Sequence, residues 1–339
     1  MISLENKDID NKKINLGVEI LRMTLCFWVL SFHCLDKDKI NYFLFYITKT
    51  KFYHVPCFSF MSFFFSHNIF FDRNMIKVKR RLERLLIPYI IWPLLAFVTN
   101  NCFEYNNKIP FYYLKMQLLL GRQFMVPLWY LFSMIFLTIF YFILSCLFKN
   151  NFLFIVQLLC LFSYVMQYSN CYSLLDAYNN NVKKPILDTL SILPLCSIGL
   201  IFATSKIIEN LKINKKKVLF FSYIFIYFLF KYNIFLDLGG YNGIINIFSS
   251  IFFFVGFYLL PLEYTHNFIQ KLIKQMTSFT NGIYCLQSRM IPFVKSRFYL
   301  KGTFKGAIII YLVSYLFSFI GAMICGKTKL KYLFNIIIY

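Results

Sequence analysis

Apolar stretches of roughly twenty residues recur along nearly the whole chain, separated by short polar loops, and this recurrence leaves few folds open. A helix rises about 1.5 Å per residue, so a stretch of that length crosses the ~30 Å hydrocarbon core of a bilayer. Composition removes the soluble alternative. Hydrophobic residues make up 59% of the chain, aromatics 21% and charged residues only 15%. A chain of 339 residues with that balance has too little polar surface to cover its own core in water. A bilayer solvates apolar side chains directly and requires only that backbone polar groups be satisfied within helices. The expected fold class is therefore all-α, a polytopic integral membrane protein of about ten transmembrane helices. The spans fall near 18–35, 53–71, 85–101, 125–147, 152–169, 186–204, 218–235, 243–262, 277–294 and 306–325.

Residues 1–17 are polar and mixed in charge, with no short apolar core leading to a small-residue cleavage site. The first span thus reads as a retained anchor. Orientation follows from Lys and Arg in the short loops. The two densest runs, Arg73 to Arg84 and Lys206 to Lys217, fall on the same side when spans are counted off, and that side is assigned to the cytosol. Ten spans then bring both termini there. The organisation predicted is a cytosolic tail (1–17), one transmembrane domain (18–325) and a second cytosolic tail (326–339), with no fixed-period repeat or separable soluble domain.

The net charge of +22 does not indicate nucleic acid, because the cations sit in short runs between apolar segments instead of forming a domain or stripe. The ten cysteines include no Cys-x-x-Cys pair and lie mostly within apolar stretches, so they read as small core residues and not as metal ligands or disulfides. No metal is expected.

Ionisable groups inside a bilayer are costly, and each asks for a partner or a function. The first span carries Glu19, Arg22 and His33. At about 100° per residue, Arg22 and His33 share a helix face with an offset of about 20°, and roughly 16 Å separates them along the axis. They can line one path. Equally, Arg22 can extend to one headgroup layer and His33 to the other without chemistry. Asp36, one turn further on, can orient the imidazole or stand in a solvated loop. A second cluster, Lys77, Arg80, Arg81 and Arg84, precedes the third span. Guanidinium groups three residues apart are suited to gripping phosphate oxygens, whereas the plain alternative is a positive-inside topology signal touching anionic lipid.

At these residues the chain resembles the acyltransferase 3 family of membrane acyltransferases. The family opens with an acidic residue, an arginine three later and a histidine eleven beyond, matched by Glu19, Arg22 and His33. The segment from Val55-Pro56 through Phe58 to Ser62 resembles its Val-Pro-x-Phe-x-x-x-Ser pattern, and Arg81, Arg84 and Pro88 its Arg-x-x-Arg feature with a following proline. Leu128-Trp129-Tyr130-Leu131 and Gly282-Ile283-Tyr284-Cys285-Leu286 resemble two later segments. Two departures stand out. Phe63 occupies a position where many relatives have Gly, and Gln287 one where the family often has His.

The resemblance implies transfer of an acyl group, most often acetyl, from cytosolic acetyl-CoA or another acyl-CoA to a hydroxyl of a sugar in a surface or secreted glycan. It implies an integral protein of the plasma (inner) membrane, with the donor, the glycan acceptor and the lipid bilayer as partners and no nucleic acid. Catalysis would fall to His33, as general base or as transient acyl carrier, with Arg22 and Glu19. Donor phosphates would meet Arg81, Arg84, Arg80 and Lys77. Acceptor specificity would reside in loops 36–52, 102–124 and 170–185, whose Tyr42, Phe45, Tyr46, Tyr112, Tyr113 and Tyr172 can stack on sugars or simply sit at the interface. A transporter or flippase of a glycan or lipid-linked intermediate is the main rival, although the paired halves expected of one are not evident. A non-catalytic scaffold is the other. Oligomeric state is not legible.

Overall fold

The computed structural model describes residues 15–34, 54–103, 108–121, 128–168, 180–205, 244–260, 266–277, 280 and 303–326. Among them every regular element is a helix: α1 (Leu16–Cys34), α2 (His54–Phe71), α3 (Met75–Phe103), α4 (Phe111–Leu120), α5 (Trp129–Phe148), a single 3₁₀ turn (Lys149–Asn151), α6 (Phe152–Tyr168), α7 (Asn180–Thr204), α8 (Ile244–Tyr258), α9 (Asn267–Thr277) and α10 (Phe304–Gly326).

Short polar side chains set several helix starts by accepting otherwise orphaned backbone N–H groups. Asn15 Oδ1 accepts from Val18 N at 3.2 Å at the start of α1, and Asn74 Oδ1 accepts from Lys77 N at 3.0 Å at the start of α3. The link from α2 to α3 is only three residues, and Arg73 within it takes a left-handed φ of 50°. Lys149, φ 35°, likewise breaks the run between α5 and α6.

Helix α2 is the hub. One side of it, through Cys57, Phe60 and Met61, packs with Val18, Leu21 and Leu25 of α1 and Phe253 and Phe254 of α8. The other, through Val55, Phe63 and Phe70, packs with Trp129 and Tyr141 of α5, Phe152 of α6 and Cys196 of α7. Its most extensive neighbour is α7. The approach is close enough that a Cβ on Gly199 would lie 2.5 Å from the Phe60 carbonyl oxygen, so only glycine fits there.

Helix directions follow from three contacts. Asn15 Nδ2 donates to Tyr258 O at 2.8 Å, which puts the start of α1 beside the end of α8. Cys57 Sγ lies 3.7 Å from Ser250 O, and the Phe64 and Tyr258 rings are 6.1 Å apart, so α2 and α8 run together and opposite to α1. One end of the bundle thus gathers the start of α1, the ends of α2 and α8 and the start of α3. His33 and His54 belong to the other end.

The distribution of polarity is that of a membrane protein. Ser59, Ser133, Thr138, Ser145, Ser197 and Ser250 are buried, while Phe136, Ile139, Ile143, Phe154, Leu158 and Leu161 are exposed. Interior hydroxyls find partners, as with Ser133 Oγ and Thr189 Oγ1 at 2.8 Å and Tyr141 Oη and Ser197 Oγ at 2.5 Å. A helix face that is apolar along its whole length is solvated by lipid, and small hydroxylated residues let helices approach closely. Among the described residues three segments are long and apolar enough to cross a membrane: Met75–Cys102, Trp129–Met166 and Pro185–Thr204. The second contains α5, the turn at Lys149 and all of α6 but its last two residues.

Compared with the sequence expectations, α3 begins about ten residues before the expected span at 85, because the cationic segment continues the helix. Two segments read as loops also contain short helices, α4 within 102–124 and α9 within 263–276 but for its last residue, Thr277. The spans expected at 218–235 and, apart from Thr277 and Thr280, at 277–294 lie outside the described residues. So do Asp36, Gln287, Tyr42, Phe45, Tyr46, Tyr172 and the tails 1–14 and 327–339.

Candidate functional site

Helix α1 carries the first cluster. Arg22 Nη1 donates to Glu19 Oε1 and Oε2 at 3.4 and 3.2 Å, an i, i+3 pair on one helix face. Its Nη2 donates to Thr280 Oγ1 at 3.4 Å. That hydroxyl in turn donates to Thr277 O at 2.8 Å, so its own proton is committed and its lone pair is left to face the guanidinium. Cys26 Sγ approaches Thr280 O at 3.6 Å on the same side of α1. Arg22 is therefore aimed by one carboxylate and one distant hydroxyl.

His33 stands exposed at the opposite end of α1. Positions 22, 26, 29 and 33 fall on one helical stripe, and the two between the ends, Cys26 and Val29, are 2% and 3% exposed. The stripe that joins Arg22 to His33 thus faces protein and not lipid. The sequence predicts a shared face for the two residues, and their helix supplies one.

The second cluster divides within a single turn of helix. Arg81 turns into the bundle, while Lys77, Arg80 and Arg84 are exposed, with Lys77 Nζ 3.4 Å from Asp72 Oδ2. Three residues along a helix differ by about 60° in direction, which is enough to send neighbouring guanidiniums to different surroundings. Arg81 Nε donates to Thr138 Oγ1 of α5 at 3.0 Å, and Nη2 donates to Ser62 Oγ of α2 at 2.8 Å. Nη1 donates to Ser62 O at 3.4 Å and to Ser66 Oγ. Four of the five guanidinium protons of Arg81 are thereby directed at α2 and α5. The Phe63 ring lies beneath the guanidinium carbon, 5.1 Å from its centroid, and stacks on Phe70 at 5.6 Å. Phe63, the departure from the family pattern, is thus a cation–π floor for Arg81.

The sequence places Ser62 and Arg81 in separate motifs, and the structure joins them. Ser66, Thr138 and Thr280 carry no signal in the sequence, since a single hydroxyl on an apolar helix is indistinguishable from many others. By the helix directions above, Arg22 and the Arg81 cage share one end of the bundle, and His33 stands at the other. Tyr112 and Tyr113 are exposed on α4. Among the described residues no group of three or more His, Cys, Asp or Glu side chains is placed to hold a metal ion.

A helical bundle with an apolar exterior, a hydroxyl-lined interior and cations gathered at one end is the architecture of an integral membrane protein. The family is established by sequence: the profile of the acyltransferase 3 family, described as an acyltransferase domain, matches residues 15–327. The chain belongs to that family and is a membrane acyltransferase. No curated protein and no solved structure matches it.

Proposed function

We propose that this acyltransferase moves an acetyl group, or another short acyl group, from cytosolic acyl-CoA to a sugar hydroxyl of a surface or secreted glycan, across ten spans of the plasma membrane with both termini in the cytosol. The observation that carries this reading is the layout of α1. Arg22 stands at the end of the bundle where the cations of α3 begin, His33 stands at the other end, and the buried stripe of Cys26 and Val29 connects them. Such a layout suits a donor and an acceptor that approach from opposite sides.

In this scheme the anionic phosphates of the donor meet the outward cations Arg84, Arg80 and Lys77. Arg81, with four protons already engaged, has one left for a phosphate oxygen and mainly fixes the helix that presents the others. The thioester arm passes from the cationic end toward His33 beside α1, where the packing over Cys26 and Val29 must part to admit it. Arg22, its charge balanced by Glu19, lies roughly 16 Å along the helix from His33 and so holds the donor's arm at the cationic end, short of the reacting carbonyl. His33 takes the proton of the sugar hydroxyl while its oxygen attacks the carbonyl carbon. The carbon–sulfur bond then breaks, and the departing thiolate regains a proton, so that ester and free thiol are the products. An acyl group carried briefly on His33 gives the same products in two transfers.

The experiment is to supply the purified full chain in vesicles with carbon-labelled acetyl-CoA on one side and an oligosaccharide acceptor on the other. Label in an ester of the sugar, with free thiol released in equal amount, is the expected result. Movement of the sugar without acylation would replace this reading with transport.

A further inference from the structure

Helix α9 has no part in the chemistry above. Its eleven residues span roughly 16 Å, about half the hydrocarbon core, so it cannot cross a bilayer. At about 100° per residue, Phe268, Leu272, Met276, Ile269 and Ile273 fall within an arc of about 140°, and Lys271 and Lys274 both fall outside it. The helix packs against α1, with Thr277 buried and Ile273 and Met276 half-buried. The rest of the apolar arc is open: Phe268 is 68% exposed, Ile269 46% and Leu272 44%, beside two exposed lysines.

Its position is fixed at both ends. His266 Nδ1 accepts from Phe268 N at 3.2 Å and starts the helix eight residues after Tyr258, whose carbonyl is bound by Asn15. At the other end, the Thr277 carbonyl accepts from Thr280, the residue that meets Arg22. The helix therefore belongs to the end of the bundle where α1 starts and where the cations of α3 lie, which is where spanning helices emerge from the hydrocarbon.

We propose that α9 lies in the headgroup layer of the membrane on that side, with Phe268, Ile269 and Leu272 set into the acyl boundary and Lys271 and Lys274 against the phosphates of anionic lipid. A short helix with an apolar face open beside cations, attached to spanning helices at their emergence, matches that layer in both polarity and charge. Seating α9 there fixes the segment that carries Thr280, and with it the partner of Arg22. The inference depends on the membrane fold and stands apart from the identity of donor and acceptor.

The test uses the full chain with every native cysteine except the buried Cys26, Cys57 and Cys196 replaced by Ser and a nitroxide attached at Ile269→Cys or, separately, at Lys274→Cys. The protein is reconstituted in phosphatidylcholine vesicles with or without phosphatidylglycerol. In the anionic vesicles the label at 269 is expected to be relaxed strongly by oxygen and weakly by a water-soluble nickel chelate, with the reverse at 274. Adding Lys271→Gln to the 269-labelled chain, together with Lys274→Gln, should move that label toward water in anionic vesicles and leave it unchanged in neutral ones. Equal nickel accessibility at 269 and 274 would overturn the proposal. So would dipolar broadening between labels at 269, which would assign the face to a second copy, and so would a depth at 269 that ignores the charge of the lipid.

Discussion

Arg81 shows how one side chain can hold three helices. Its bonds to Ser62, Ser66 and Thr138 join α3 to α2 and α5, and a hydrogen bond to a charged group contributes about 1.5–3 kcal/mol. Thr138→Val keeps the shape and removes the oxygen, so the thermal stability of the purified full chain should fall by about 1–3 kcal/mol. Arg81→Lys keeps the charge and loses the fork, and should cost at least as much. Added to Arg81→Lys, Thr138→Val should cost little more, because the lysine has already given up the contact with Thr138; fully additive losses would show that the two side chains act independently. His33 is tested by chemistry and not by stability. His33→Gln retains bulk and a hydrogen bond but cannot exchange a proton, so transfer should fall by about 10²–10⁴ with donor binding unchanged. A Gln variant that retains more than about a tenth of the original rate would remove His33 from the mechanism.

At the scale of the element, the crossing of α2 and α7 is set by Gly199. Its missing side chain brings Phe60 O to a distance at which no Cβ fits, and the same crossing carries Phe60 into the core shared by α1 and α8. Gly199→Val should force the helices apart and cost about 1–3 kcal/mol through overpacking. A midpoint of thermal unfolding unchanged from the parent would mean that the crossing yields without strain. Helix α3 shows a different balance. Pro88 and Pro93 lie within it, yet it continues from Met75 to Phe103, because packing in a membrane bundle and the absence of competing water preserve helix where a soluble segment would break.

For the whole molecule, the cations gathered at the end of the bundle that holds Asn15, Tyr258 and the α2–α3 turn predict that this end faces the cytosol. A cysteine at Asn74, in that turn, should be shielded from an impermeant thiol reagent in intact cells and react once they are opened. The background must lack every native cysteine except the buried Cys26, Cys57 and Cys196. Labelling in intact cells would invert the orientation and with it the assignment of donor and acceptor sides. The membrane class, the helical fold, the shared face of Arg22 and His33 and the cationic start of α3 were all legible in the sequence, because hydropathy and helical spacing are properties of neighbouring residues. Tertiary structure alone decided that Arg81 turns inward while Arg84 turns out, that Phe63 becomes a floor for a guanidinium, and that Thr138 and Thr280 complete two arginine sites. Those partners stand 57 and 258 residues from the arginines they meet, and only the packing of helix on helix selects one hydroxyl among many at such separations.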